Sequence, residues 1–258
     1  SLAPHRAAMP KRDVIAPLVD NVIAPSDDER IPIAVVAGEG SHGGIVEPLA
    51  AILGAAGLCC GTATRQGIRV GGSVVARGDH ASHRGAEILL NDPACQALAL
   101  ELKLRNFSAR GLPFDRYAAA ALLGVSALDA PRREAARRLA AAARGAVIVE
   151  AGDETALEIA QGLEGRRTIL LAAQASDPRL RRHLEGGGEA VLAETASGGA
   201  GQLVHRAGKA REILLPAAPE VSAALLAAAA LALALGQPAS AISAGLTAAA
   251  EGARRAVS

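Results

Sequence analysis

The sequence predicts an α/β fold: a three-layer domain with a mostly parallel sheet, of the P-loop kind. Three observations predict it. Short apolar strand-like runs alternate with helix-like runs from Ile31 to the C-terminus. The stretch 31–44, IPIAVVAGEGSHGG, reads as a buried strand, a glycine-rich turn and the start of a helix. The 258 residues are 50% hydrophobic but only 1% aromatic, so a sizeable core must be built from Ala, Leu, Val and Ile.

The elements follow in order. Residues 1–30 form an extended lead-in, because Pro4, Pro10, Pro17 and Pro25 interrupt any long helix. Within it, Val14 to Ile23 has helix-like apolar spacing and could dock as a short helix. Ile33 to Ala37 is the first strand and Ile45 to Ala56 the helix after the glycine turn, stopped by Gly57. Leu58 to Thr64 is a second strand. Gly67 to Val75 is a hairpin around Gly71-Gly72. Gly78 to Arg84 is a polar loop, Gly85 to Leu90 begins a helix, and Asp92-Pro93 starts another. Ala97 to Leu102 is apolar apart from Glu101. Strands are expected at Tyr117 to Val125, Ala146 to Val149 and Thr168 to Ala172, and helices at Ala130 to Arg144, Thr155 to Leu163 and Leu180 to Leu184. Two or three short strands occupy Ala190 to Thr195 and Gly201 to Leu215. Two helices, Pro219 to Gly236 and Ala239 to Ala253, close the chain.

Composition excludes several function classes. A net charge of +1 gives no case for a nucleic-acid or membrane-surface partner, and aromatic platforms for single strands are missing. The most apolar run, Val221 to Leu235, is shorter than the roughly 20 residues that span a bilayer, so it reads as a buried helix. No signal-peptide pattern precedes it. Cys59, Cys60 and Cys95 lack metal-ligand spacing and read as reduced, small apolar residues of a cytoplasmic protein.

A strand, a glycine loop and a helix make a phosphate cradle, in which backbone N–H groups and the helix N-terminus face the anion. A working loop of this kind ends in Gly-Lys-Ser/Thr: the Lys neutralises the β- and γ-phosphates and the hydroxyl holds Mg²⁺. Here His42 and Gly43 stand at those positions. The cofactor-binding candidates are therefore Gly38, Gly40, Ser41, His42, Gly43 and Gly44, as a degenerate phosphate loop. Glu39 adds a negative charge where a polyphosphate would lie.

Several segments, in collinear order over nearly the whole chain, resemble the Mur-ligase-like part of cyanophycin synthetase. They are the approach Ala16 to Gly38, "GTATRQGIRVGGSVVARGD" at Gly61 to Asp79, "ILLNDPACQALALEL" at Ile88 to Leu102, "GLPFDRYAAAALLGVSALD" at Gly111 to Asp129, and the tail "APEVSAALLAAAALALALGQPASAISAGL". The resemblance implies a Mur ligase central-domain-like fold over residues 31–258, preceded by the end of an ATP-grasp segment, with the smaller C-terminal lid domain absent. In that family such a domain is an ATP-dependent amide ligase working through an acyl phosphate, and in cyanophycin synthetase it adds arginine to a poly-aspartate backbone.

The chemistry does not carry over residue by residue. The family's loop is Gly-Thr-Asn-Gly-Lys-Thr-Thr, against Gly38 to Gly44 here. Its Thr-Asp-Gly-Val-Tyr becomes Arg65-Gln66-Gly67-Ile68-Arg69. Its metal-binding Glu matches Glu101, the one metal candidate. Its Asn-Val-Ser-x-Asp-His becomes Gly124 to Asp129, its Asn-Ala-Asp-Asp becomes Glu150 to Asp153, and its His-Asn-x-x-Asn gives way to Pro219-Glu-Val-Ser-Ala.

Each candidate has a plainer reading. The loop can be the tight turn the fold needs. Asp79, His80 and His83 can be a metal site or a solvated loop. Glu101 can be a Mg²⁺ ligand or a carboxylate paired with Lys103 or Arg105. Arg132, Arg133, Arg137 and Arg138 can bind an acidic polypeptide such as poly-aspartate or form a solvated helix face, and Asp115 and Arg116 read as a structural pair. The expectation is a non-catalytic domain with no catalytic residue and no cofactor. Its role would be structural, beside an ATP-grasp ligase in cis or trans or within a homo-oligomer. The alternatives are an active ATP- and Mg-dependent ligase and an acidic-polypeptide binding module.

Overall fold

The computed structural model describes residues 31–106, 114–196, 199–218 and 221–257. The lead-in 1–30, with the helix expected at Val14 to Ile23, lies outside them, as does Pro219. The described chain forms β1 (Ile33–Gly38), α1 (Gly43–Ala55), β2 (Cys60–Ala63), β3 (Gly67–Val70), β4 (Ser73–Arg77), α2 (His83–Leu90), β5 (Ala97–Leu102) and β6 (Tyr117–Leu123). It continues through α3 (Ala130–Ala142), β7 (Ala143–Glu150), α4 (Glu154–Gln161), β8 (Arg167–Ala172), α5 (Pro178–Glu185), β9 (Glu189–Thr195), β10 (Gly201–Ala207), β11 (Ala210–Ala218), α6 (Ala223–Ala234) and α7 (Ala239–Val257).

The strands make one eleven-stranded sheet in the order β11-β10-β9-β8-β7-β6-β1-β5-β2-β3-β4. From β9 to β2 every pairing is parallel, and an antiparallel hairpin is added at each end. Parallel strands buried on both faces read as continuous apolar runs, and β1 and β5 are buried along almost their whole length. β6 is mostly alanine, a poor strand former in isolation. It is a strand because β1 and β7 hydrogen-bond it on both sides, and tertiary pairing outweighs intrinsic preference.

Alternate side chains point to opposite faces. Ala34, Val36, Ala99, Ala121 and Ile148 meet Ile45, Leu49, Ile52 and Leu53 of α1, the alanine-lined α6, and Ile242 and Leu246 of α7. Helices α2 to α5 pack on the other face. Small residues set the spacing of the first layer. A Cβ on Gly245 of α7 would lie 2.3 Å from the Ile52 Cα, so the two helices touch backbone to backbone.

Side-chain caps start five helices: Ser82 for α2, Asp129 for α3, Asp153 for α4, Asp177 for α5 and Ser222 for α6. Helix α1 has no such cap; His42 sits at its N-cap position without a capping hydrogen bond.

Four sequence expectations are corrected. Asp92-Pro93 opens no helix: Asp92 accepts from Ala94 N and Cys95 N in a turn that feeds β5. The helix expected to Arg144 stops at Ala142, and the chain passes directly into β7, because Ala143 pairs with Tyr117 of β6. The strand expected to Val125 ends at Leu123, because Gly124 turns left-handed (φ 62°) into a short 3₁₀ turn. Helix α1 begins at Gly43, two residues before Ile45, since the His42 carbonyl accepts from both Ile45 N and Val46 N.

Candidate functional site

β1 is the strand at which the chain changes direction: β2 and β5 lie to one side, β6 and its successors to the other. Ligand crevices in open α/β sheets form at the carboxyl ends of strands at such a switch point. The loop Gly38 to Gly44 lies there, between β1 and α1.

Its first residue is fixed by packing. Gly38 has φ 154°, and a Cβ on it would fall 1.8 Å from the Leu123 carbonyl oxygen of β6. Glu39 N then donates to that same carbonyl. The Glu39 side chain turns outward and pairs with Arg132 of α3 at 2.8 Å.

The register of β2 against β5 sets Ala63 opposite Leu100, so the turn after β2 runs past Glu101. That turn is tight: Thr64 N donates to Gly67 O, and a Cβ on Gly67 would meet the Ala76 carbonyl at 2.3 Å. Arg65 is thereby presented over Glu101. The Glu101 carboxylate is fully buried and engaged through both oxygens. Oε1 accepts from His42 N (3.0 Å) and lies 2.9 Å from Arg65 Nε, while Oε2 accepts from Arg65 N (3.1 Å). The Arg65 guanidinium also donates through Nη2 to the Gly40 carbonyl, tying the glycine loop to the β2–β3 turn. The expected pairing of Glu101 with Lys103 or Arg105 is not what the structure holds: Lys103 pairs with Asp79 instead.

His42 is 6% exposed. Burial pushes its imidazole below the ordinary histidine value, against the opposing pull of Glu101. It is therefore neutral at pH 7 and no substitute for a lysine charge. Gly43 faces Gln66; a Cβ there would come 2.6 Å from Gln66 Oε1, the end of an exposed side chain that would have to shift to admit the family's hydroxyl residue.

Beyond β6 a second group of residues lines a cavity of about 720 Å³, including Gly124, Ser126, Glu150, Asp153, Asp177 and Ala223. Asp153 accepts from Val125 N (2.5 Å), Ser126 N, Ser126 Oγ (2.6 Å) and Ala156 N, so it both caps α4 and holds the 3₁₀ turn after β6. Burial raises its carboxyl pKa, but the Ser126 hydroxyl and these backbone donors more than offset that and leave it below the usual aspartate value. Glu150 accepts from Gly124 N at 3.1 Å. The sequence showed Asp153 as the last acid of its motif. It gave no signal for the Ser126 and Gly124 contacts, which cross from one βα loop to the next.

The remaining candidates do not converge. His80 Nε2 lies 3.3 Å from Arg77 O, His83 pairs with Glu87 at 3.2 Å, and Asp79 is held by Lys103. Among the described residues no group of three His, Cys, Asp or Glu could hold a metal ion. The arginines of α3 are engaged: Arg132 with Glu39 and Asp129, Arg133 with Ser126 O, and Arg137 and Arg138 both with Glu134. Asp115 and Arg116 each have partners as well.

No family model matches the chain. Two curated relatives are cyanophycin synthetases. That of Geminocystis herdmanii is 25% identical over 194 residues, 71% of this chain and 22% of its own length. That of Crocosphaera subtropica is 28% identical over 116 residues, 45% of this chain and 13% of its own. Among solved structures, a UDP-N-acetylmuramoyl-L-alanyl-D-glutamate–2,6-diaminopimelate ligase superposes with TM-score 0.59 at 14% identity, covering 87% of this chain and 47% of its own. The bifunctional folylpolyglutamate/dihydrofolate synthase of Yersinia pestis, complexed with AMPPNP and Mn ion, gives 0.53 at 19% identity, covering 84% and 57%. The fold is that of the Mur-ligase central domain, and the sequence is similar to part of cyanophycin synthetase. The matched region spans about a fifth or less of the curated relatives' own length.

The residues present do not fit the nucleotide and metal that the Mur-ligase fold implies. The cradle has no lysine, its first side chain is a carboxylate, and the carboxylate aligned with a metal ligand has its oxygens taken by Arg65 and the His42 amide.

Proposed function

We propose that this Mur-ligase-like domain is non-catalytic and serves a structural role in a cyanophycin-synthetase-type protein. In this reading it supports an ATP-grasp ligase, in cis or in trans, or holds a homo-oligomer together, in the cytoplasm. The observation that carries the reading is the closure of the Glu101 carboxylate. A metal ligand must offer a free, uncompensated oxygen, and both oxygens of this carboxylate already accept a backbone N–H, with the Arg65 guanidinium supplying the neutralising charge. The loss of Lys and Thr from the cradle supports the same reading. Among the described residues no helix is long and apolar enough to cross a membrane.

Titration calorimetry with ATP and Mg²⁺ tests it, paired with phosphate release in the presence of arginine and a poly-aspartate acceptor. No heat of binding and no release are expected. Micromolar binding with turnover overturns the proposal and leaves the second reading, an active ATP-dependent amide ligase. That reading is favoured by the names of the relatives and by the open 720 Å³ cavity beyond β6.

A further inference from the structure

The carboxylate of Glu101 is 0% exposed, and a lone ion in such a place is strongly unfavourable unless it is neutralised. We infer that Arg65 is a tethered counter-ion that takes the place of a divalent cation in this loop, and that removing its side chain turns the Glu101 pocket into a cation site. The inference deepens the non-catalytic reading and rests on it.

Three features carry it. First, the guanidinium does what a bound cation would do. It neutralises Glu101, and through Nη2 it also binds the Gly40 carbonyl, an oxygen of the glycine loop. One positive group thus bridges a carboxylate and a backbone carbonyl, both of them hard oxygen donors of the kind that magnesium and manganese accept. Second, the position is built in by the backbone. The Thr64–Gly67 turn is closed by its own hydrogen bonds, and Arg65 N donates to Glu101 Oε2. Arg65 is therefore tied in at both its amide and its side chain. Third, the guanidinium is not sealed in. The Arg65 side chain is 37% exposed while that of Glu101 is 1% exposed, so the counter-ion reaches the buried carboxylate from the solvent side. A serine at 65 would leave that approach open to water and to a small hydrated cation. It would keep the amide donor and remove the charge together with its bond to the Gly40 carbonyl.

The test is Mn²⁺ binding read by electron paramagnetic resonance of the free ion, with wild type, Arg65→Ser and Arg65→Ser/Glu101→Gln compared at pH 7. Arg65→Ser is expected to bind one Mn²⁺ at least about tenfold more tightly than either of the others. Its melting temperature should rise with millimolar Mn²⁺ or Mg²⁺. A folded Arg65→Ser that binds no better than the double variant overturns the inference. So does wild type binding Mn²⁺ as tightly as Arg65→Ser. If Arg65→Ser does not fold alone, millimolar divalent cation should restore it where sodium chloride of equal ionic strength does not; failure of that rescue also overturns the inference. The two proposals fail separately. ATP turnover by the wild type removes the non-catalytic reading, whereas Mn²⁺ bound by the wild type without turnover removes only the role given to Arg65.

Discussion

Gly245→Ala separates packing from propensity in a single substitution. In an exposed helix the exchange stabilises by about 0.8–1.0 kcal/mol, since alanine loses less backbone freedom on folding. In α7 the new Cβ would stand 2.3 Å from Ile52 Cα, 2.5 Å from Ile52 N and 2.8 Å from Ala51 C. Ordinary Cβ contacts lie at 3.4–4 Å and almost none fall under 3.0 Å, so α7 must move by about 1 Å away from α1. A gap of that order forfeits about a quarter to a half of the dispersion energy of the contacts it opens. The contacts concerned join Leu49, Ile52 and Leu53 to Ile242 and Leu246, all buried. Overpacking of this kind costs about 1–3 kcal/mol, which matches or exceeds the propensity gain. The net expectation is a loss of up to about 2 kcal/mol, or a fall in melting temperature of up to about 8 °C for a domain of this size. Gly252→Ala, in the same helix, is the control: a Cβ there meets nothing within 4 Å, so it should raise the melting temperature. Differential scanning calorimetry measures both. If the two variants shift in the same direction, backbone contact between α1 and α7 is not what requires Gly245.

Three further outcomes are expected. Asp153 has a folded pKa held below its unfolded value, so its stabilisation is present above the unfolded pKa near 3.8 and disappears as pH falls through the lower folded pKa. Urea titrations at pH 7 and pH 3 should show Asp153→Asn to be about 1–3 kcal/mol less stable at pH 7, with the gap narrowing at pH 3. His42→Lys with Gly43→Thr, which puts the missing phosphate-loop side chains back, should not yield calorimetric binding of ATP and Mg²⁺. Glu101 stays clamped and the position-43 Cβ presses on Gln66. Burial pushes the Cys60 thiol up to about 12 and the Cys95 thiol to about 11. A thiol reagent at pH 8 should therefore modify only the half-buried Cys59 in the native protein, and all three cysteines in urea.

The fold was legible wherever apolar runs were bounded by glycine or proline. The Gly71-Gly72 turn, with φ of 55° and 85°, fixed the β3–β4 hairpin, and the order of strands and helices followed the alternation. Boundaries failed where tertiary pairing decided them. Nothing local ends a helix between Ala142 and Ala143; the pairing of Ala143 with Tyr117 does. The site was legible as groups lost at residues 42 and 43 and one carboxylate kept, Glu101. What fills their place was not, because Arg65 and Glu101 are 36 positions apart and meet only through the β2–β5 register.

Gly38 answers to the Leu123 carbonyl of the neighbouring strand whether or not a phosphate lies beside it. Any side chain at that position would force β1 and β6 apart at the centre of the sheet. Selection for folding alone can therefore hold this glycine, and a saturation scan read out by folding should find it intolerant while Gly44, where a Cβ meets nothing within 4 Å, accepts change more freely. A glycine-rich loop is thus durable evidence of ancestry in a Mur-type sheet, whereas present catalysis has to be read from the charged side chains around it.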